Sequence, residues 1–445
     1  MKPNPGRRGP VWIDIPLDIQ AAQIDENNLK EFVPEEEKIS INNSVMEEVF
    51  SELSKAKRPL FLVGHGLKAS SSEKLFLKVQ NILGIPVTTT WRELDLMDYE
   101  NKYFFGSPGL QANRFSNIIT QGCDLLIVLG SRLDNMITAF NEEHFAYRAK
   151  RIIVDIDKNE LEKLNMPDKL IYNVDVKEFL NKMYSFIVET KYKMPDISKW
   201  IDFCTEMKNK YPLENEKQEI VENCTDLYKL TFEVSKYCNK NDSIVVSSTS
   251  RCNTAGHMAF YHKAGQKTIS SMGMGSMGFA LPSVVGAYFA SNKNRVIMFE
   301  GDGSLQLNIQ ELQTIKYYGI NAKMFIFSNT GYAAIATMQD RNFNGHYVGS
   351  TISSGISFPN LEKIANAYEI PYYKIECNEK INDVVEEIMK KDEAAICEVI
   401  GSIKFDEIPK CISFINDEGK RESAKLENPF PFMSDIELEE IYKNI

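Results

Sequence analysis

Five apolar runs recur through the second half of the chain: SIVVSST (243–249), RVIMFEG (295–301), AKMFIFSN (322–329), YYKIEC (372–377) and AAICEVIG (394–401). Each is continuous rather than alternating. A strand with one face in water alternates apolar and polar side chains, whereas a strand covered on both faces does not. These runs therefore read as parallel strands layered between helices, with helical segments at 277–290, 309–318 and 358–369. The first half repeats the pattern with PLFLVG (59–64), PVTTT (86–90), LLIVLG (125–130) and RIIVDID (151–157). A helix is expected to open at SSSE (70–73), where Ser70 and Glu73 have capping-box spacing. The fold class is α/β, with two Rossmann-like three-layer domains built on parallel sheets, and ligands are expected at the carboxyl ends of the strands.

Between the two blocks, residues 188–222 turn polar and lysine-rich, which marks an interdomain connection. Beyond residue 401 strand periodicity stops. Residues 402–445 read as a tail packed over the second domain, with a short helix at 434–443.

Charge narrows the partners. The formal net charge is −11 and Lys/Arg clusters are scarce, which argues against a nucleic-acid or anionic-membrane surface but allows a small anionic ligand held locally. No apolar run approaches the roughly 20 residues that span a bilayer. The start, MKPNPGRRGP, has no apolar signal core, so a cytoplasmic location is expected. The eight cysteines include no C-x-x-C pair and read as free buried thiols rather than disulfides or a zinc site. His65, His144, His257 and His262 show no ligand spacing and read as packing or surface residues. His346 stands apart, because QDRNFNGHYVGS (339–350) follows the motif described next and is placed to cover a substrate.

EGDGS (300–304) ends one strand and NTGY (329–332) ends the next. Gly301 and Gly303 would let the backbone turn tightly around Asp302 and approach a ligand. Two adjacent parallel strands would then present the Asp302 carboxylate beside the Asn329 amide, with the Gly331 carbonyl free in the turn. That is a set of hard oxygen donors, suited to magnesium sharing its shell with a diphosphate. Ser304 and the N–H groups opening the following helix would hold the diphosphate further. On GDG alone an ordinary strand-to-helix turn is the better reading; the spaced NTGY favours the metal. MGMGSMG (272–278) admits two readings, a close-packed turn whose methionines fill core and a wedge shaping a ligand.

GDGSLQLNIQELQTIKYYGINAKMFIFSNTGY resembles the diphosphate and magnesium motif of thiamine-diphosphate enzymes, in particular the acetolactate synthase and pyruvate decarboxylase superfamily. SSMGMGSMGFALPSVVGAYFA (270–290) is similar to the segment that grips the pyrimidine ring, and RPLFLVGHGL and CDLLIVLGSRLDNMITAF to the central domain. GRRGPVWIDIPLDIQ (6–20) is similar to the last strand of the pyrimidine-binding domain and the linker after it. The resemblance divides the chain into 1–35, remnant strand and linker; 36–187, central domain; 188–222, connection; 223–401, a thiamine-diphosphate-binding fold; and 402–445, tail.

The resemblance implies Asp302, Asn329 and the Gly331 carbonyl as magnesium ligands, with Gly303, Ser304 and Tyr332 also at the cofactor. Met277 would be the residue that bends the cofactor, and the Gly275 carbonyl would accept a hydrogen bond from its 4′-amino group. GSRLDN (130–135) and VDIDKNEL (154–161) resemble the FAD-binding form of the central domain, with Arg132, Asp157, Gly64 and Gly66 as contacts; the alternative is a degenerate domain kept for assembly. The implied reaction is decarboxylation of a 2-oxo acid such as pyruvate with carboligation to a second carbonyl. Alternatives are non-oxidative decarboxylation, whose motif NTGY also resembles, and a non-catalytic cofactor-binding subunit. No position matches the glutamate of the pyrimidine-binding domain, so that domain is expected from another chain or a missing N-terminal segment, in a homo- or hetero-oligomer.

Overall fold

The computed structural model describes residues 7, 9–31, 41–216, 223–415, 419 and 421–443. Strands β1 (Pro59–Val63), β2 (Val87–Thr89), β3 (Leu125–Leu129), β4 (Lys150–Asp155) and β5 (Lys169–Asn173) form a parallel sheet in the order β2-β1-β3-β4-β5. Every residue of β1 and β3 is buried, as a strand covered on both faces must be. Helices α1 (Asn43–Lys55), α2 (Glu73–Leu83), α3 (Arg114–Gly122), α4 (Val176–Thr190) and α5 (Ser198–Lys210) surround it. Helix α5, within the stretch expected as a connection, buries Trp200, Phe203, Cys204 and Met207 and donates the Trp200 indole N–H to the Pro59 carbonyl at 2.9 Å.

A second parallel sheet runs β10-β11-β9-β8-β6-β7, from β6 (Ser243–Val246), β7 (Lys267–Ile269), β8 (Val296–Gly301), β9 (Ala322–Ser328), β10 (Tyr372–Ile375) and β11 (Ala395–Ile400). Its main helices are α6 (Leu227–Lys236), α7 (Ser250–Met258), α8 (Ala280–Ala290), α9 (Glu311–Tyr317), α10 (Ala333–Phe343), α11 (Leu361–Ala367) and α12 (Ile381–Lys390). Alternate residues face opposite layers. Ile244, Ile297, Phe299 and Phe325 join one apolar cluster that continues into the first domain, while Val245, Met298, Met324 and Ile326 join a separate cluster with α8 and α9. The chain is therefore α/β with two parallel-sheet domains.

Four sequence expectations change. Ser70 does not cap α2: Ser72 occupies the N-cap, and the Ser70 hydroxyl bonds Ser72 instead, at 2.7 Å. Residues 9–16 form no strand and pair with neither sheet, and every described residue from 9 to 31 is exposed. The tail contains an antiparallel pair, β12 (Ser413–Ile415) with β13 (Arg421–Ser423), as well as the expected helix, α13 (Asp435–Lys443). It also packs on the first domain. Cys411 N–H donates to the Leu110 carbonyl at 2.7 Å, Arg114 donates to the Pro429 and Pro431 carbonyls, and the Tyr442 hydroxyl donates to Ile118.

The domains are latched by a 3₁₀ segment, Trp91–Leu96, that reaches from β2 to β7. Asp95 accepts from Thr268 N–H at 2.7 Å and from Lys68, Arg92 donates to the Ser270 carbonyl, and Trp91 stacks on His257 with ring centroids 4.8 Å apart. His257 and His262 are buried in this interface, each with a partnerless Nε2. Burial pushes their pKa values down from 6.5 to about 4 and about 3, with Arg92 adding to the first and Asp95 opposing the second. Both are thus neutral in the fold while the unfolded chain takes up protons near pH 6.5, so stability is lost as pH falls below that value. Thermal midpoints measured from pH 7 down to 4 should decline less steeply in the double variant His257→Gln, His262→Gln; a slope equal to wild type would contradict the assignment.

Candidate functional site

In the second sheet the chain goes from β6 to β7 on one side and then to β8 on the other, a reversal that opens a crevice at the carboxyl ends of β6 and β8. The register pairing Gly301 with Phe327 sets the end of β8 beside the end of β9. Asp302, 9% exposed, therefore reaches the next loop: Oδ2 accepts from Asn329 N–H at 3.0 Å and Thr330 N–H at 2.9 Å, while Oδ1 accepts from Gly303 N–H at 2.7 Å. Thr330 takes a left-handed φ of 57°, and the Asn329 amide oxygen accepts from Gly331 N–H at 3.2 Å. Among the described residues no hydrogen bond ends on the Gly331 carbonyl.

Burial pushes the Asp302 carboxyl up to about 6, against the lowering effect of its three N–H donors. Glu300, directly upstream and fully buried, is also raised by desolvation and leaves one carboxylate oxygen without a partner. Among the described residues no lysine or arginine pairs with either acid. A buried carboxylate beside an amide and a backbone carbonyl, lacking a counter-cation, has the donor chemistry of a hard divalent ion.

A second turn leans on the first. Ser304 Oγ accepts from Gly278 N–H at 2.8 Å, and Asn308 Nδ2 donates to the Gly278 carbonyl at 2.7 Å. Gly275 and Gly278 have φ of 64° and 73°, which glycine adopts without strain. Ser248, after β6, accepts from Ser271 N–H at 2.5 Å and ties the same turn to the sheet. Met277 is held between these anchors with its side chain 38% exposed, so it is not core filling.

The glycines around Asp302 act differently from expectation. Neither Gly301 nor Gly303 has positive φ. A Cβ on Gly303 would lie 2.5 Å from the Tyr332 ring, so this glycine admits Tyr332; one on Gly331 would lie 2.5 Å from Ile403 Cδ1. Asp302, Gly303, Ser304, Asn329, Gly331 and Tyr332 are thus brought together, with the Gly275–Met277 turn attached through Gly278.

Arg132 and Asp157 belong to the other sheet, and each has a local use. Arg132 donates to Asp134 at 3.1 Å and 3.2 Å, and Asp157 caps a short helix by accepting from Asn159 N–H. Gly64 and Gly66 lie against Gly130, where added Cβ atoms would approach backbone to 2.5 Å and 2.6 Å. The G-x-G is therefore explained by two strand-end turns touching. His346 is exposed in the turn after α10, its N–H bonded to the Phe343 carbonyl. Glu300 and Asn308 are site residues that the sequence reading passed over. Both lie inside stretches quoted for the motif, but neither residue type by itself signals a role there.

Two protein-family models match the chain: the central domain of thiamine pyrophosphate enzymes over residues 46–183, and the C-terminal TPP-binding domain of the same enzymes over residues 250–399. The acetolactate synthase large subunit of Lactococcus lactis subsp. lactis (strain IL1403) is 28% identical over 397 residues, covering 89% of this chain and 67% of the relative. Acetolactate synthase 1, chloroplastic, of Zea mays is 27% identical over 407 residues, covering 89% and 62%. The large subunit of Cyanidium caldarium is 28% identical over 396 residues, covering 86% and 65%. The chain thus spans about two thirds of the length of these relatives.

Proposed function

Because this chain belongs to the thiamine pyrophosphate enzymes and carries their central and C-terminal domains, we propose that it binds thiamine diphosphate with magnesium and serves an acetolactate synthase-like reaction. In that reaction a 2-oxo acid such as pyruvate is decarboxylated and the remaining fragment is joined to a second carbonyl. The observation that carries the reading is Asp302, buried with no lysine or arginine paired to it among the described residues and hydrogen-bonded to the loop that holds Asn329 and Gly331.

In this reading the Asp302 carboxylate, the Asn329 amide oxygen and the Gly331 carbonyl hold the metal, while Ser304 and Tyr332 flank the diphosphate. Bound there, the cofactor supplies an electron sink for the pair released with carbon dioxide. Met277 would press against the cofactor and orient its rings, and the Gly275 carbonyl would accept a hydrogen bond from its amino group. Among the described residues no hydrogen bond occupies that carbonyl. The chain's own contribution is binding, orientation and exclusion of water.

Magnesium must displace the proton that burial favours on Asp302. Since that carboxyl sits at about 6, magnesium-dependent cofactor binding should weaken as pH falls through 6, by about tenfold per pH unit once below it. Calorimetry across pH 5–8 checks this, and a flat profile would contradict the assignment. The alternative chemistry, simple decarboxylation, rests on NTGY and separates by product: release of an aldehyde in place of a coupled hydroxyketone.

Two exposed apolar side chains beside the crevice support a pyrimidine-binding domain seated there, from another chain or a preceding segment. Met274 is 87% exposed and Leu307, against Gly278, is 57% exposed. Surfaces of this kind mark interaction sites. FAD fits less well, since Arg132, Asp157, Gly64 and Gly66 are all engaged within the first domain; no step here uses it.

A further inference from the structure

A cavity of about 340 Å³ opens between α10, the start of α7 and the segment after β11, away from Asp302 and Asn329. Its floor is Arg251, only 3% exposed, whose guanidinium is fixed by Glu407 at 2.8 Å and Thr337 at 3.1 Å. Each acid of the cavity has a partner, although that of Asp340 is a neutral hydroxyl that leaves its charge in place. Asp340 accepts from the Tyr347 hydroxyl at 2.5 Å, Asp406 faces Lys410 at 3.6 Å, and Glu407 also accepts from Thr254. Arg341 and Lys404, at the opening, have no side-chain hydrogen bond or ion pair among the described residues. In a chain of net charge −11, a lining with three cations, Arg251, Arg341 and Lys404, against two carboxylates, Asp340 and Asp406, is a local reversal of sign.

We propose that this cavity is a second ligand site, taking a small dianion such as a phosphate monoester or a dicarboxylate, bridged between Arg341 and Lys404 above Arg251. Charge-assisted bonds to fixed donors are the stronger class, and the cavity falls in the size range of small-molecule sites. It is joined to the metal loop. Ile403 lines the cavity and abuts Gly331, and Thr351, also lining it, follows Ser350, whose carbonyl accepts from Tyr332 N–H at 2.9 Å. A ligand there bears on the loop carrying Asn329 and Gly331, without occupying the cofactor crevice.

Inorganic phosphate and succinate, titrated separately into the full chain at constant ionic strength and followed by calorimetry, test this. Saturable binding of either, weakened at least about tenfold in the double variant Arg341→Glu, Lys404→Glu and retained in Asp302→Ala, is the expected result; which probe binds identifies the phosphoryl or dicarboxylate source. Both positions are exposed, and an unchanged thermal midpoint confirms that the double variant folds. Binding that survives the charge reversal, disappears in Asp302→Ala, or is absent for both probes overturns the proposal.

Discussion

Turnover of pyruvate by this chain, undetectable alone with magnesium and thiamine diphosphate, should become measurable when a pyrimidine-binding domain is supplied in trans or joined in cis. The expectation rests on two features. The matched stretches are the central and the C-terminal domains, and the glutamate that the resemblance assigns to ring activation has no counterpart identified in this sequence. Met274 and Leu307, beside the turn around Gly278, are also exposed, an apolar surface suited to a covering domain. Activity with no partner would contradict this reading and require another residue in the glutamate's role.

The second large effect concerns Met277. In the completed enzyme Met277→Ala should slow exchange of the thiazolium C2 proton by about a hundredfold or more, the scale on which a misplacement of about 1 Å acts. Cofactor affinity should change far less, because the wedge acts on ring geometry while the anchor lies at Asp302. The turn itself should persist, since Gly278 is clamped by Ser304 and Asn308 rather than by the methionine. Exchange and affinity falling together would place Met277 in the anchor, and unchanged exchange would remove it from the mechanism.

Strands were legible where burial on both faces leaves a continuous apolar run: β3, β8 and β9 are buried along almost their whole length. The two parallel-sheet strands that went unread, β5 and β7, are edge strands that begin with lysine and bury fewer residues. An edge strand is covered on fewer sides and carries a weaker pattern. The tail's attachment to the first domain was not legible, because its bonds from Arg114 and Cys411 span long sequence separations.

At the site, the spacing of Asp302 and Asn329 was readable because neighbouring parallel strands bring their ends together. Their joint geometry follows from one register. The Ser304–Gly278–Asn308 clamp joins residues that nothing local connects. Gly301 and Gly303 do not use glycine's freedom at positive φ, and Gly303 makes room for the Tyr332 ring. Gly64 and Gly66 are likewise demanded by the close approach of Gly130 at the ends of β1 and β3.

The central claim is that Asp302, Asn329 and Gly331 hold a magnesium ion that in turn holds the cofactor's diphosphate. Titration of thiamine diphosphate into the chain with magnesium, with a chelator, and with magnesium in Asp302→Ala tests it most directly. The account predicts saturable binding in the first case only, since without the carboxylate the dication is left under-coordinated beside the diphosphate. Equal affinity in all three would contradict it.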